Sequence, residues 1–442
     1  MEKTRDSFSG KFGFILACIG SAVGMGNIWR FPNLVSTYGG LCFILPYILF
    51  VILIGNTGII EEFALGRAAK TGPVGAFGWA TAQRGSRKFG NAVGILPVLG
   101  SLALAIGYTV VMAWIIKYTF MSFSGALSAM GQNMDVIGGT FGMTADTHGA
   151  DIWVIIAVII AFAIMAFGIS NGIEKANKVM MPLLFALFVV LGIYIAFLPG
   201  ATNGYKYIFT LNPAGLADPK VWIYAFGQAF FSLSVAGNGS VIYGSYLGDD
   251  ESIPFCARNV AIFDTLAAML AALVIIPAMA TTGEQLSNGG PGLMFIYLVN
   301  VFNGMATGRI IGILFFVCVL FAGTSSIINL YEAPVEYVQN QFKLSRVPAT
   351  AVILAFGGLV AVFIQHITSQ WMDVVSIYIC PFGALLAGIM FFWVAKKETA
   401  MEEVNKGSGK KLGDRFYFLG KYVYIACALI ALVAGAILGG IG

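Results

Sequence analysis

The chain has 442 residues, 58% of them hydrophobic and only 10% charged, with a net charge of +4. Soluble domains carry about 25% charged residues, so a soluble globular protein is excluded, and so small a positive balance carries no signal for nucleic acid. Apolar runs of about 20 residues recur from end to end, each long enough to cross a ~30 Å hydrocarbon core. They are continuous rather than alternating, which argues against a β-barrel. The fold class expected is an all-α polytopic membrane protein in the lipid bilayer of a cell membrane.

Met1 to Lys11 is charged and leads into a segment longer than a signal h-region, so no secretory signal peptide is expected. Membrane helices are predicted at 13–37, 41–66, 92–123, 151–170, 178–199, 221–247, 256–282, 309–339, 348–368, 374–396 and 416–440. The six cysteines lie mostly inside these runs with no CxxC pair, and read as small buried hydrophobes.

Lys and Arg alternate between loops. They occur before the first helix (Lys3, Arg5, Lys11), after the second (Arg67, Lys70, Arg84, Arg87, Lys88), after the fourth (Lys175, Lys178), after the eighth (Lys343, Arg346) and from Lys396 to Arg415. Residues 124–150 and 283–308 contain neither. The positive-inside rule then puts the N-terminus in the cytoplasm and, with eleven helices, the C-terminus outside. The acidic run Asp249-Asp250-Glu251 dissents, but acids count little in that rule. The glycine-rich, semi-apolar loop 283–308 reads as a re-entrant or capping hairpin, or as an amphipathic surface helix.

The first helix contains Gly20-Ser21-Ala22-Val23-Gly24-Met25-Gly26-Asn27-Ile28-Trp29-Arg30. Alone, this stretch reads either as a small-residue packing face or as a broken helix whose freed backbone groups line a polar site. The sixth helix carries a counterpart, Ser234-Val235-Ala236-Gly237-Asn238-Gly239-Ser240. The two motifs fall in the first helix of each five-helix half, and five is odd, so the halves run in opposite orientations. That is the pattern of an inverted-topology repeat with its site at the midplane. The units expected are 1–200, 201–396 and, for the last cytoplasmic loop and helix, 397–442.

A broken helix offers orphan N–H groups at the start of one half and orphan carbonyls at the end of the other. The amides of Met25 and Gly26 suit a carboxylate; the carbonyls near Gly20, Ala22 and Val23 suit a cation or an ammonium group. Asn27, the lone deep acid Asp264 and the pair Ser325-Ser326 add hard oxygen ligands, which points to Na⁺ rather than a transition metal. Membrane-helix serines also bond their own backbone, whereas an acid within a membrane helix is a functional candidate by default. Glu61 and Glu62 read as capping, packing or pairing with a basic residue. His148 and His366 are given no role.

These residues carry a resemblance. AVGMGNIWRFP in the first helix, GG…PY ending at Tyr47, Glu62-Phe63-Ala64-Leu65-Gly66-Arg67 in the second, GQAFFSLS in the sixth and AGTSS in the eighth are similar to the neurotransmitter:sodium symporter family, with the LeuT fold. The chain looks most like the family's bacterial eleven-helix amino-acid transporters. The resemblance implies a 5+5 inverted repeat with broken helices 1 and 6, an eleventh helix, and two Na⁺ sites. The first uses Ala22, Asn27, Ser232, Asp264 and the substrate carboxylate. The second uses the carbonyls of Gly20, Val23 and Ala322 with Ser325 and Ser326. It also implies substrate carboxylate contacts at Met25, Gly26 and Tyr108, and ammonium contacts at Ala22, Phe231 and Ser234. The side-chain pocket is formed by Leu104, Tyr108, Phe231, Ser234, Gly237, Ser326 and Leu330. Arg30 and Asp373 match the outer ion-pair gate, with Phe231 as lid, and Arg5 the inner gate.

Three departures sharpen the expectation. Gly24 stands where monoamine members carry an acid, so an α-amino acid is expected. Ala268 stands where chloride-dependent members place a serine, and Asp264 brings its own negative charge, so no chloride requirement is expected. Asn340 stands where the inner gate has its aspartate, leaving Glu336 as another acid for Arg5. Gly237 replaces a position often filled by a large apolar residue, which favours a bulky hydrophobic or aromatic amino acid. The reading is a sodium-coupled symporter, not an enzyme, and a monomer or weak dimer. An amino-acid sensor or a substrate-gated channel on the same fold is the alternative.

Overall fold

The computed structural model describes residues 8–235, 239–283 and 291–438. Among the described residues eleven helical segments carry the fold and are labelled in chain order. They are α1 (Lys11–Ala22 and Gly26–Tyr38), α2 (Leu41–Ala69), α3 (Ile95–Ser124), α4 (Asp151–Met165), α5 (Ile169–Ala196), α6 (Pro219–Ser232 and Gly239–Gly244), α7 (Ile253–Thr282), α8 (Gly308–Phe342), α9 (Arg346–Ile364), α10 (368–394) and α11 (Asp414–Leu438). Every predicted segment has its helix. Seven described helices are long and apolar enough to cross a bilayer, eight with the bent α1. In that count α9 and α10 run together through Gln365–Ile367, α4 is short at 15 residues, and α6 is interrupted.

Helix is the form these sequences must take in lipid, where each backbone group needs a partner within its own segment. The exceptions are local and have causes. In α1 the helix ends at Ala22, Val23 turns extended (φ −71°, ψ 103°), and the halves meet at 56°. In α6 the entry is orderly: Asp218 caps the helix by accepting from the Lys220 N–H at 2.9 Å, with Pro219 in the first turn. The exit is not, because Ser234 sits in the left-handed region at φ 57°, which costs an L-residue roughly 1–2 kcal/mol. Gly237 lies outside the described residues.

The bundle is organised around α3 and α8, the most extensively packed pair. Their apolar windows are 72% and 67% buried, against 22% for α11, so α11 is peripheral. Peripheral helices expose apolar rows such as Ile152, Ile155 and Ile159 on α4 and Leu429, Ile430 and Val433 on α11, a surface made for lipid rather than water.

The loops rich in Lys and Arg converge on one face. Arg67 at the end of α2 is fully buried there. Its Nε donates to Glu403 Oε1 at 2.6 Å, an Nη donates to the Glu251 carbonyl at 2.6 Å, and the other Nη donates to the Glu403 carbonyl. One side chain thereby fastens α2 to the α6–α7 loop and to the helix Lys397–Asn405. Arg346 grips Glu332 with two 2.6 Å bonds, and Tyr246 donates to the same carboxylate. Lys70 pairs with Asp249 at 2.6 Å and, chiefly through that hydrogen bond, holds its carboxyl below the ordinary range.

The described part of the 283–308 loop corrects one alternative. Leu293–Asn303 is helical, and Leu293, Phe295, Leu298 and Val301 are fully buried, with Phe295 stacked on Phe141. It is an inserted capping helix rather than an amphipathic surface one, because apolar side chains occupy successive faces and leave no polar side for water. Gly289 and Gly290 lie outside the described residues.

Arg67→Ala would leave the Glu403 carboxylate with only the partly exposed Lys406, at 2.8 Å, and would remove the donor from the carbonyls of Gly248, Glu251 and Glu403. The expected loss is about 3–5 kcal/mol, read as a melting temperature lower by several degrees in detergent; an unchanged melt would contradict the latch.

Candidate functional site

The two helix breaks meet. Ser234 Oγ, on the strained exit of α6, donates to the Ser21 carbonyl of α1 at 2.7 Å. One turn away, Asn27, Ser232 and Asp264 converge from α1, α6 and α7. Asn27 Nδ2 donates to Asp264 Oδ1 at 2.8 Å and lies 3.1 Å from Ser232 Oγ. Ser232 Oγ lies 3.0 and 2.8 Å from the two Asp264 oxygens, and Tyr47 OH reaches Oδ2 at 3.5 Å. All four residues are buried. Asn27 Oδ1 accepts the Gly24 N–H at 3.0 Å, so the same amide also stitches the α1 break. The amide NH2, not its oxygen, faces Asp264. Among the described residues no basic side chain forms an ion pair with Asp264.

Beside this cluster lies a small cavity of about 40 Å³. Its walls are Ala22, Gly24 and Gly26 of α1, Leu104 and Tyr108 of α3, Phe231, Ser232 and Ser234 of α6, and Ser326, Asn329 and Leu330 of α8. These include most of the substrate contacts expected from sequence. Met25 is buried but does not line the cavity, and Gly237 lies outside the described residues. The glycines are there for closeness. A Cβ on Gly24 would stand 2.5 Å from Ser326 Oγ, and one on Gly26 would stand 2.9 Å from the Phe231 ring.

The predicted gate is joined in part. The Arg30 guanidinium stacks on the Phe231 ring, 4.7 Å from its centroid. Arg30 and Asp373 are not within ion-pair distance, and Asp373 is exposed. Arg5 lies outside the described residues. Glu336 sits on the basic face, where Thr71 Oγ1 at 2.7 Å, the Gly72 N–H at 3.0 Å and Asn340 Nδ2 at 2.5 Å donate to it.

The second predicted cation cluster lies where the first half of α1 ends against α8. A Cβ on Gly20 would stand 3.2 Å from Ser325 Cβ. Ser325 Oγ donates to the Ala322 carbonyl at 3.0 Å, and Val23, being extended, turns its carbonyl out of the helical ladder. Sequence reasoning passed over Asn177 of α5. It is fully buried, its Oδ1 has no hydrogen-bond partner, and a Cβ on Gly20 would stand 1.9 Å from that atom. It also passed over Gln228, whose Nε2 donates to the Gly26 carbonyl at 2.9 Å. For Gln228 the signal was a lone amide inside an apolar run; Asn177 stands between Lys175 and Lys178 and had none.

Two broken helices, meeting beside a cavity in the middle of an apolar bundle, are the architecture of a secondary transporter. The sodium:neurotransmitter symporter family model matches residues 5–136 and 140–438. An uncharacterised sodium-dependent transporter of Methanocaldococcus jannaschii is 31% identical over 98% of this chain and 91% of its own length. One of Bacillus subtilis is 29% identical over 98% of both. Among solved structures, MhsT in complex with L-phenylalanine superimposes with a TM-score of 0.86 at 31% identity, covering 98% of this chain and all of MhsT. The chain belongs to the sodium:neurotransmitter symporter family. It has the LeuT fold, and it is a sodium-dependent transporter rather than an enzyme.

The Gly20–Asn177 approach is testable by itself. Gly20→Ala overpacks a buried contact at roughly 1–3 kcal/mol and is expected to lower the melting temperature. Adding Asn177→Ala should recover most of that loss; strictly additive losses would contradict the contact.

Proposed function

We propose that the protein is a symporter that couples Na⁺ to the uptake of a neutral, bulky hydrophobic or aromatic α-amino acid, without chloride. The observation that carries the reading is the Asn27–Ser232–Asp264 cluster. It abuts the cavity, and among the described residues no cationic side chain pairs with its carboxylate. An ionised carboxylate out of water costs several kcal/mol unless an opposite charge accompanies it. A sodium ion between Asp264 and the break of α1 supplies that charge. The ion would be held by the Ala22 carbonyl, Asn27, Ser232 and Asp264. The Asn27 amide then has to turn its oxygen toward the ion, which releases the Gly24 N–H that it now accepts. A second ion would be held by the Gly20, Val23 and Ala322 carbonyls with Ser325 and Ser326.

The substrate carboxylate would meet the Met25 and Gly26 amides and Tyr108. Its ammonium group would meet the Ala22 and Phe231 carbonyls and Ser234. Leu104, Phe231 and Leu330 give an apolar bed of the kind a large side chain needs, and MhsT, the structural neighbour, has been solved with L-phenylalanine. Gly24 leaves no room for an amine-binding acid, since even a Cβ there crowds Ser326. The inverted repeat would comprise 1–200 and 201–396, with 397–442 appended. The gathering of Lys and Arg on one face supports a cytoplasmic N-terminus. Two Na⁺ moving with a zwitterion carry two charges, worth ~4–5 kcal/mol at 100 mV, or roughly a thousandfold accumulation.

Uptake into proteoliposomes tests this. Phenylalanine-like amino acids should accumulate above their outside concentration only with an inward Na⁺ gradient, and gluconate in place of chloride should leave the rate unchanged. Flux that merely equilibrates, or that ignores sodium, would sink the symporter reading in favour of a channel. Asp264→Ala should abolish the sodium-dependent thermal shift of the purified protein; an unaltered shift would refute the first ion site.

A further inference from the structure

Away from the transport cavity, three surface hollows adjoin one another, and all three include Arg258 in the second turn of α7. The first lies between α2 and α7 and is almost wholly apolar, walled by Ile48, Val51, Ile52, Ala261, Ile262 and Leu266. Its floor exists because Gly55 lets the helices touch: a Cβ there would stand 2.9 Å from Ala261. From Arg258 to Leu266 the trough follows α7 for about 12 Å at 1.5 Å per residue, and it follows α2 equally far from Asn56 to Ile48. The second hollow joins α2 to the start of α11 and brings Lys411 and Arg415 beside Arg258. The third adds Lys11 and Lys410.

The hollows therefore combine a long apolar trough with five cations at one end, on the basic face of the bundle. None of the five forms an ion pair among the described residues. Of the acids nearest them in sequence, Asp249 and Asp414 are taken by Lys70 and Lys397 at 2.6 Å each, while Asp250 and Glu251, which precede the third hollow, offset part of the positive charge. Arg258 is oriented rather than loose. Its Nε donates to Asn56 Oδ1 at 3.2 Å, at the point where α2 is interrupted between Gly55 and Gly58, which leaves its terminal fork for a second acceptor. A polar Asn–Arg pair at the head of an apolar trough has the form of a phosphate hook above an acyl channel.

We propose that this groove is a binding site for one anionic phospholipid, with an acyl chain in the α2–α7 trough and the phosphate at Arg258, flanked by Lys411 and Arg415. Charge complementarity selects the occupant. A zwitterionic lipid fills the trough equally well but gains little from five cations, whereas basic residues near a membrane surface each favour anionic lipid by roughly fivefold in affinity. The site belongs to the periphery and leaves the ion and substrate residues untouched.

The test is native mass spectrometry of the delipidated full-length protein, offered equal amounts of phosphatidylglycerol and phosphatidylcholine of the same chain length. The expected result is one retained phosphatidylglycerol per chain with at least a tenfold preference. Arg258→Gln with Lys411→Gln should erase that preference, while the sodium-dependent thermal shift of the same sample reports an intact fold. Ile262→Trp, which fills the trough and keeps every charge, should lower retention of both lipids. Equal retention of the two lipids by the unaltered protein would overturn the proposal. So would a preference that survives the double substitution, or a doubled chain mass without retained lipid, which would make the groove an interface between copies.

Discussion

The Asp264 carboxylate, held by Ser232 and Asn27, is the contact on which the centre of the molecule depends. It binds α7 to both broken helices at once. Neither break could persist alone: an interrupted helix in an apolar bundle strands backbone groups that lipid cannot satisfy. Asn27 answers this in α1 by capping the Gly24 N–H with its own side chain, and Ser234 answers it by reaching the Ser21 carbonyl from the opposite break. The strain of a left-handed serine is accepted where it brings the two interruptions together, as strained residues at functional sites generally are.

Closeness is the second constraint. Gly20, Gly24 and Gly26 are placed where α1 meets Asn177 and Ser325, Ser326, and the Phe231 ring, with no space for a methyl group. The cavity thus has backbone for one wall, and backbone can offer both amides and carbonyls to a zwitterion. At the basic face the fastening is ionic instead: Arg67 with Glu403, and Arg346 with Glu332. Apolar helices slide past one another readily, whereas a buried, multiply bonded arginine fixes the loops that join them.

Much of this was legible in the sequence. Runs of apolar residues place every helix and most of its ends to within about three residues, because length and hydropathy are what a bilayer requires of them; α5 begins at Ile169 rather than 178, α10 at 368 rather than 374, and α4 ends at Met165 rather than 170. The paired glycine–polar motifs around Gly24 and Ser234 mark the breaks, since no packing argument needs so many helix-breaking residues in one membrane segment. What stayed hidden is side-chain partnership across helices. Glu61 was expected to cap, pack or pair with a basic residue; it is fully buried against α10, and neither carboxylate oxygen has a hydrogen-bond partner. Arg67, from the same motif, instead takes Glu403, 336 positions away. Asn177 was invisible because nothing local distinguishes an amide that faces a site from one that bonds its own helix, and its Nδ2 does the latter, donating to the Ile173 carbonyl. The Arg30–Asp373 pair follows from resemblance, yet here Arg30 lies on Phe231, since a long side chain can serve either partner.

The central claim is that ion and substrate share the space between the α1 break and Asp264, so each must strengthen the other's binding by the same factor. Equilibrium binding of a phenylalanine-like amino acid to the purified protein, titrated at a series of Na⁺ concentrations with K⁺ holding ionic strength constant, measures that factor from one side. Titrating Na⁺ at fixed amino acid measures it from the other. The account predicts two equal factors, each tenfold or more. An amino-acid affinity that is the same in Na⁺ and in K⁺ would contradict it.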